Sequence, residues 1–345
     1  MKAMKIILSL LFLSLFIPDG QAQTRPVNVD GVQVAVPTKI NRIADVWPAH
    51  NMIVYMLGQG DKIVATSVSK RMCPWFYKIN PPMEKAVTTF ASNGDNSMEE
   101  LIKAKPDLVF LTKMHANSNA ISRMGYTVVE LSFSDFPGLR ECVLTTADVL
   151  GGNAKPKAEK YVAYLDSNIR NIQLVTNKIP ESKKPKVLHI TSLSPITVSG
   201  NNMIIGAWIK LCGGVNAAVN VENSKQVSSE QILLWNPDII IYAGSYVEIK
   251  EQDVLSNPAL KNTKAGKNKR IYINPKGLFS WDRYSAEEAL QIQWAAQKFY
   301  PDKFKSFDAV KETVFFYHSF FNYPLTKEEA EMIIKGQAPK TMNNE

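Results

Sequence analysis

Apolar residues follow two patterns along the chain: short unbroken runs, and longer stretches in which they recur every three or four positions. The runs predict buried strands and the spaced stretches predict helices. Strands are predicted at residues 42–47, 62–67 and 127–133, and again at 186–191 and in the run RIYINP. Because strands alternate with helices at this spacing, the pattern predicts βαβ units and a parallel sheet.

One pattern occurs twice. KAKPDLVFLTK at 103–113 and LWNPDIIIYAG at 234–244 each place a Pro-Asp pair before an apolar run. A Ser-x-Glu precedes each pair, so that Glu99 and Glu230 lie seven residues before the respective proline. The residues between them predict a short helix, whose end is fixed because a residue before proline avoids the α region. Two copies of a helix–turn–strand unit indicate two similar lobes.

A long helix separates the two copies. Residues 155–178 contain no Gly and no Pro after Pro156, and their apolar residues keep near-helical spacing, which predicts one helix of roughly 35 Å. The predicted fold class is α/β: two Rossmann-like lobes with parallel sheets, joined by one long backbone helix, with a ligand cleft between the lobes. The predicted boundaries are 23–153 for the N-terminal lobe, 154–180 for the connecting helix and 181–325 for the C-terminal lobe. Residues 326–345 are charged, show no core-facing pattern and are predicted to be a tail.

Residues 1–22 have the layout of a cleaved secretory signal peptide. Lys2 and Lys5 precede an apolar run at 6–17 that is too short to span a membrane, and small residues follow up to Ala22. The first cysteine is Cys73, so no cysteine stands at the predicted cleavage point to carry a lipid anchor. Because an exported chain without an anchor would diffuse away from a single-membrane cell, we expect a periplasmic location.

Composition and charge narrow the class of protein. The net charge of +8 becomes +7 without the signal peptide, which carries two lysines and one aspartate. The basic residues are spread along the chain and an exported protein meets little DNA, so no nucleic-acid partner is expected. An anionic ligand, an anionic membrane surface or simple solubility would each explain the charge. Three cysteines allow at most one disulfide, and Cys142 and Cys212 are predicted to be buried small hydrophobes.

The ordered segments resemble the substrate-binding proteins of ATP-binding-cassette (ABC) importers for ferric siderophores, haem and cobalamin. The resemblance spans roughly residues 42–303 and is carried by RIADVWPAHNMIVYMLGQGDKIVATS, SMEELIKAKPDLVFL, GNNMIIGAWIKLCGGVNA, VSSEQILLWNPDIIIYAG and KGLFSWDRYSAEEALQ. It implies a monomer with small hinge motion and an inner-membrane permease and ATPase as partners. It also implies that Glu99 and Glu230, one per lobe, pair with arginines of the permease. A structural alternative is that both glutamates support the first helical turn, with Ser97 or Ser228 as N-cap.

Open parallel sheets bind ligands in the loops at the carboxyl ends of their strands. The loops predicted there are rich in aromatic residues, which suit a large planar or catechol-bearing ligand. Each aromatic residue could instead pack its own loop. The candidate aromatic ligand contacts are Trp47, Trp75, Tyr77, Tyr246 and Trp281.

Four polar or soft side chains complete the candidate site. Arg71 and Arg283 could pair with carboxylates or with the negative charge of a metal–catecholate complex. His115, next to Met114, follows a strand directly into a predicted cleft loop and could complete the coordination of a chelated metal, or could be an ordinary surface histidine. A bare metal ion is not expected, because His115 has no obvious second or third partner. No intrinsic cofactor is expected, and the expected ligand is a metal chelate such as a ferric siderophore, with haem, cobalamin or a nickel chelate as alternatives.

Other functional classes fit less well. The chain has no Gly-x-Ser-x-Gly elbow, no phosphate loop and no Gly-x-Gly-x-x-Gly, so we do not expect an enzyme. A secreted enzyme is the weakest alternative. A periplasmic sensor or scaffold would differ from a transport protein only in its partner.

Overall fold

A computed structural model describes residues 23–89, 98–113, 115–243 and 249–340. It begins with a hairpin of strands β1 (Thr24–Val29) and β2 (Val32–Pro37), paired antiparallel. Asp30 and Gly31 form its turn with φ of 49° and 82°, the left-handed region that a two-residue hairpin turn requires. The Arg25 guanidinium ties this hairpin to the end of a later helix by donating to the backbone carbonyls of Asp148 and Val149, both at 2.7 Å.

The first sheet is entirely parallel, as the sequence predicts. Its strands are β3 (Ile43–Asp45), β4 (Ile63–Thr66), β5 (Val87–Thr88), β6 (Leu108–Thr112) and β7 (Thr127–Leu131), in the order β5-β4-β3-β6-β7. The helices of the first lobe are α1 (His50–Met56), α2 (Pro74–Ile79), α3 (Met98–Ala104), α4 (Ser118–Arg123) and α5 (Phe136–Leu150).

Helix α6 (Ala154–Thr176) then runs without interruption for 23 residues, or about 34 Å. Its buried residues recur every three or four positions and form a continuous stripe: Ala154, Ala158, Tyr161, Leu165, Asn168, Ile172 and Thr176. The Tyr161 hydroxyl donates to the carbonyl of Ala286 in the second lobe at 2.8 Å. The expected long connecting helix is therefore present, and it packs as well as connects.

The second sheet has six strands and is mixed, which corrects the expectation of a second purely parallel sheet. The strands are β8 (Lys186–Leu193), β9 (Ile196–Ser199), β10 (Val215–Asn216), β11 (Ser224–Gln226), β12 (Ile239–Tyr242) and β13 (Ile271–Ile273). The order is β11-β9-β8-β12-β13, with β10 beside β8. Strands β8, β10, β12 and β13 are parallel, but β9 returns antiparallel to β8 and β11 antiparallel to β9. The helices are α7 (Ile204–Leu211), α8 (Ser229–Trp235), α9 (Glu251–Leu255), α10 (Pro258–Lys261), α11 (Lys264–Lys267) and α12 (Glu288–Phe299).

The repeated Pro-Asp pair acts as a clamp between neighbouring strands. The Asp107 carboxylate accepts from the backbone N–H of Arg42 at 2.9 Å, while the Asp107 N–H donates to the Arg42 carbonyl at 2.8 Å. Asp238 makes the same reciprocal pair with Lys186, at 2.9 and 2.8 Å. The residues before the two prolines both have positive φ, 44° and 45°, consistent with the bias of pre-proline residues away from right-handed helix. Each copy thus fixes where a short helix ends and where its strand enters the sheet.

Residues 327–340 pack against the rest of the protein, whereas the sequence predicts a tail without a core-facing pattern. Helix α13 (Ala309–Phe321) is followed by α14 (Lys327–Ile334), whose N-terminus is closed by a capping box between Thr326 and Glu329. Ala330 and Ile333 on α14 are fully buried. The segment also reaches the first lobe, because the Trp75 indole N–H donates to the Gln337 carbonyl at 2.8 Å. Only these two positions on α14 are buried. Two apolar residues among many charged ones are too few to show a core-facing pattern in the sequence.

The lobes share one hydrophobic core. A single cluster of buried residues runs from the first sheet through α5, α6, α12 and α13 to the second sheet. Smaller clusters cover the outer face of each sheet. Because α6 and the shared core cross between the lobes, a large rigid-body opening would expose apolar surface, and the architecture favours small relative motion.

Candidate functional site

The two lobes meet through aromatic side chains on loops that follow their strands. Tyr284 lies in the loop between β13 and α12, which we call the Arg283 loop (residues 274–287). Its ring centroid lies 5.5 Å from that of Phe133, which follows β7, and 6.4 Å from that of Trp47, which follows β3. Tyr284 has φ of 56°, so the backbone there is held in a conformation that most residues avoid. We call these three rings the floor of the candidate cleft; Tyr284 is partly buried, and Trp47 and Phe133 beneath it are 7% and 8% exposed.

A buried ion pair fixes the position of Arg283. Its Nη2 donates to Asp282 Oδ2 at 2.8 Å and to the Ala243 carbonyl, at the end of β12, at 2.7 Å. The Asp282 side chain is fully buried, whereas the Arg283 side chain is 30% exposed. Asp282 also accepts from His189 Nε2 at 2.9 Å and from the Ser280 hydroxyl. Although burial alone raises the pKa of Asp282, the Arg283 guanidinium and the His189 ring hold it well below its usual range. The positive end of this pair therefore faces outward.

A second buried carboxylate organises the same loop. Glu287 Oε1 accepts from the Leu278 N–H at 3.2 Å, the Trp281 indole at 3.1 Å and the Tyr317 hydroxyl at 2.5 Å. Glu287 Oε2 accepts from the Phe279 N–H at 2.9 Å. Burial raises the pKa of Glu287 to about 7, against these four donors, which favour the carboxylate. The loop is thus folded around one titratable group.

Each lobe contains a buried His–Asp pair at an equivalent place. In the first lobe, Asp45 on β3 lies beside Phe110 of β6 and bonds His50 Nδ1 at 2.8 Å. In the second, His189 on β8 lies beside Ile241 of β12 and bonds Asp282. Phe110 and Ile241 occupy the same position of the repeated unit, so Asp45 and His189 correspond, with the acid and the base exchanged. Burial lowers the pKa of His189, which keeps its ring neutral at pH 7.

Three predicted aromatic contacts lie in the core. Trp75 and Trp281 are each 1% exposed, and their indole N–H groups are taken by Gln337 and Glu287. The Tyr77 hydroxyl donates to the Val68 carbonyl at 2.8 Å, and its side chain is also buried. Direct ligand contact by these three is therefore wrong for this structure, because their polar atoms and ring faces are already occupied by the protein. They support the loops that carry other candidates.

The remaining predicted ligand residues have mixed placements. Trp47 is buried but stacks on the His50 ring and borders the cleft floor. Arg71 is exposed on the loop after β4. His115 is partly buried after β6, its Nδ1 accepts from the Asn117 N–H at 3.3 Å, and burial lowers its pKa. Met114 and Tyr246 lie outside the described residues.

The two candidate docking glutamates are on the surface. Glu99 pairs with Lys103 at 3.1 Å, and its side chain is 79% exposed. Glu230 is exposed in the first turn of α8, where the Ser228 hydroxyl caps the helix by accepting from the Gln231 N–H at 3.2 Å. A backbone N–H and the Ser228 hydroxyl lower the pKa of Glu230. The helix-cap role of Ser228 is thus present in the structure, and Ser97 lies outside the described residues.

Sequence reasoning missed Phe133 and the two buried carboxylates Asp282 and Glu287. The stretch SWDRYSAEE does carry acidic residues beside Arg283, but nothing in their spacing shows that they point inward. Among the described residues, no three His, Cys, Asp or Glu side chains cluster as metal ligands. Within the same ranges, no helix combines the length and the apolar character needed to cross a membrane.

Several known proteins are similar to this chain in sequence and in fold. YvrC, an uncharacterized ABC transporter substrate-binding lipoprotein of Bacillus subtilis, is 26% identical over 293 residues, covering 81% of this chain and 87% of YvrC. The molybdate-binding protein MolA of Haemophilus influenzae is 24% identical over 319 residues, covering 84% of this chain and 88% of MolA. A periplasmic solute binding protein from Veillonella parvula superposes with a TM-score of 0.78 at 28% identity, over 90% of this chain and 96% of its own.

Two α/β lobes with a continuous helix between them are the architecture that this chain shares with solute-binding proteins. The family model for periplasmic binding proteins matches residues 44–278, which is more than half of the chain. The chain belongs to the periplasmic binding protein family. The sequence-based recognition of this family and of its fold is therefore confirmed.

Proposed function

We propose that the protein is the periplasmic substrate-binding component of an ABC importer, and that it captures an anionic metal chelate such as a ferric siderophore for delivery to an inner-membrane permease and its ATPase. Membership of the family and the likeness to YvrC support the transport role. The layout of residues 1–22 supports export. In this proposal the protein acts as a monomer and catalyses no reaction.

The main support for an anionic ligand is the fixed position of the Arg283 guanidinium. It is oriented before any ligand arrives, because Asp282 and the Ala243 carbonyl hold it. A preorganised cation loses little conformational freedom when it pairs with an anion, which favours binding. Arg71, exposed on a strand-end loop of the other lobe, is the second cation that this proposal assigns to the site. The partly exposed Tyr284 ring, backed by the buried rings of Trp47 and Phe133, offers aromatic surface to the body of a chelator.

His115 gives a way to recognise metal in the chelate. Its lowered pKa keeps the imidazole neutral at pH 7, the form that binds a metal. A chelator that leaves coordination positions open would accept it as a ligand, and a saturated chelate would not. The contribution of His115 should therefore differ between chelates.

A small oxyanion is a second candidate ligand, since MolA is a molybdate-binding protein and matches most of the chain. Molybdate would use the arginines without needing the aromatic floor. Haem, cobalamin and nickel chelates remain further alternatives, and a periplasmic sensor would show the same binding with a different partner.

The ligand proposal is tested by titrating tryptophan fluorescence with ferric siderophores, haem, cobalamin, nickel chelates and molybdate. Arg71→Ala is the cleanest variant, because Arg71 is exposed and its loss leaves no buried charge. Arg283→Lys keeps the positive charge beside Asp282 but removes the guanidinium geometry. Each should weaken binding of an anionic chelate by roughly 1–3 kcal/mol, while Arg170→Ala on the solvent face of α6 should not. If both cleft variants bind with unchanged affinity, the ligand-binding site does not include these arginines.

The proposal also includes docking of the permease by Glu99 and Glu230. Support comes from their exposure and from their equal placement in the two copies of the unit. The helix-support role expects lower melting temperatures in Glu99→Ala and Glu230→Ala, with transport intact. Docking expects unchanged melting and ligand binding but reduced transport, most of all in the double variant. Normal transport by a folded double variant would end the docking proposal.

A further inference from the structure

Exposed aliphatic side chains accompany both glutamates. On α3, Ile102 is 43% exposed, three residues after Glu99. On α8, Leu233 is 44% exposed, three residues after Glu230, and Leu234 beside it is 77% exposed. Of the eight strongly exposed large apolar side chains in the described residues, these two seven-residue helices supply three. The coincidence calls for an explanation beyond the ordinary exposure of single apolar residues.

Other side chains occupy the fully buried positions of these two helices. The inner face of α3 is formed by Leu101 and Ala104, both buried, and that of α8 by Ile232, also buried. Leu101 and Ile232 each lie two residues after the glutamate, so the core-facing position is the same in both copies. Ile102 and Leu233 follow directly and point away from that core contact. More than half of each of these two side chains is covered, and the rest is apolar surface open to a partner.

Topology places both pairs toward the cleft. Three residues join α3 to β6, and three join α8 to β12, so each helix ends near the amino end of its strand. A helix that leads into a parallel strand this tightly runs antiparallel to it, and its first turn lies toward the carboxyl edge of the sheet. Glu99 and Glu230 occupy those first turns. The cleft loops lie at the same edges.

We propose that each lobe presents a two-part contact, an acidic side chain with an aliphatic neighbour one turn on, and that the permease receives both contacts. The contacts are Glu99 with Ile102, and Glu230 with Leu233 and Leu234. This inference rests on the proposed transport function. The fitting partner surface has a basic side chain beside an apolar recess. Because one chain displays the pair twice, the partner that matches both copies is one that repeats its own surface by two-fold symmetry.

The two contacts are unequal. Lys103 lies 3.1 Å from Glu99 and 3.0 Å from Glu100, so a partner's cation must compete with it. Glu230 has no basic partner among the described residues, and two leucines accompany it. The contact of the C-terminal lobe is therefore the stronger one.

The test uses full-length mature protein and the ABC permease–ATPase complex in nanodiscs, with affinity and ATPase stimulation as readouts. Leu233→Ser with Leu234→Ser should weaken the complex by about tenfold or more, and Ile102→Ser by less. Leu174→Ser is the matched control, since Leu174 is 65% exposed on α6 and belongs to neither contact. Ligand affinity should not change in any variant, and every variant is compared at a temperature well below its own melting point, so that loss of the complex reports on the contact and not on unfolding.

Salt separates the two parts of the contact. Raising the ionic strength should weaken the unmodified complex and abolish the effect of Glu230→Ala, while the effect of the leucine double variant persists. If the leucine and isoleucine variants bind and stimulate like the unmodified protein, the apolar part of the contact is wrong and the transport function still stands. If the unmodified protein itself neither binds nor stimulates the complex, the transport function fails together with this inference.

Discussion

Replacing Glu287 with glutamine should change how stability depends on pH. Burial raises the pKa of Glu287 from an ordinary value of 4.5 to about 7 in the folded protein. Between these two pH values the folded chain holds a proton that the unfolded chain has released. Stability from this group is therefore fully present below pH 4.5 and is lost as pH rises through 7. Because a tenfold difference in proton affinity between the folded and unfolded chains is worth about 1.36 kcal/mol, the loss is at most about 3 kcal/mol.

A glutamine side chain does not titrate, so the Glu287→Gln variant lacks this slope. Its amide can keep the carbonyl oxygen toward Leu278, Trp281 and Tyr317 but places an NH2 group against the Phe279 N–H. At acidic pH the protonated Glu287 carboxyl also places one donor among these groups, so the two proteins should differ little in stability there. As pH rises through 7, the unmodified protein should lose stability relative to the variant, by up to about 3 kcal/mol.

Urea unfolding at pH 5, 6, 7 and 8 measures this difference directly. Other groups titrate in the same range, including His189, whose lowered pKa makes stability rise with pH, and they cancel when the two proteins are subtracted. Tyr317→Phe is the matched control, because it removes one donor to Glu287 and keeps the titrating carboxyl. Parallel stability curves for the unmodified protein and Glu287→Gln from pH 5 to 8 would refute the reasoning.

Three further predictions concern the same framework. In Gly277→Ala the new Cβ would overlap Glu287 Oε1 and the Tyr317 hydroxyl, so thermal melting should show a loss of roughly 2–4 kcal/mol; an unchanged melting curve would contradict this packing. Trp75→Phe removes the donor to Gln337, and should cost about 1 kcal/mol and speed hydrogen exchange in residues 330–337, with ligand affinity unchanged; unaltered exchange would contradict the link. Because α6 and the core cross between the lobes, crystal structures with and without ligand should superpose closely, and a lobe rotation of several tens of degrees would contradict this.

Periodicity and the doubled unit were enough to predict most of the first lobe, the long helix and the two short helices α3 and α8. These elements are specified locally: Pro106 and Pro237 end helices, and apolar runs must be buried. The β1–β2 hairpin was missed although its signal is present, since VNVDGVQVAV alternates apolar residues around Asp-Gly. Strand β11 was missed because it is short, polar and exposed throughout at the edge of the sheet. Strand β9 was missed because its four residues are too few to show a pattern.

The candidate site was harder to predict, because a loop's sequence does not show which side of it faces water. WDRY contains one buried tryptophan, one buried carboxylate, one oriented cation and one ring at the cleft floor in four consecutive residues. Aromatic content alone could not tell Trp281, which holds the loop to Glu287, from Tyr284, which meets the other lobe. That distinction depends on the register of the loop against α13, which only the tertiary structure supplies.

The lobes resemble each other in the scaffold and differ where the cleft begins. Asp107 and Asp238 make the same clamp, and Leu101 and Ile232 fill the same core position. At the equivalent strand position, however, the first lobe has Asp45 and the second has His189, and each recruits its opposite from elsewhere in its lobe. This difference affects the cleft. In the first lobe the other ring nitrogen of His50 bonds the buried Thr146 hydroxyl, so the pair stays inside the core. In the second lobe Asp282 also pairs with Arg283, which reaches the surface. A partner with two-fold symmetry needs the repeated features to stay alike, while a ligand without that symmetry is recognised best by lobes that differ. Exchange of acid and base within one buried pair is a small change that supplies the difference without altering the scaffold.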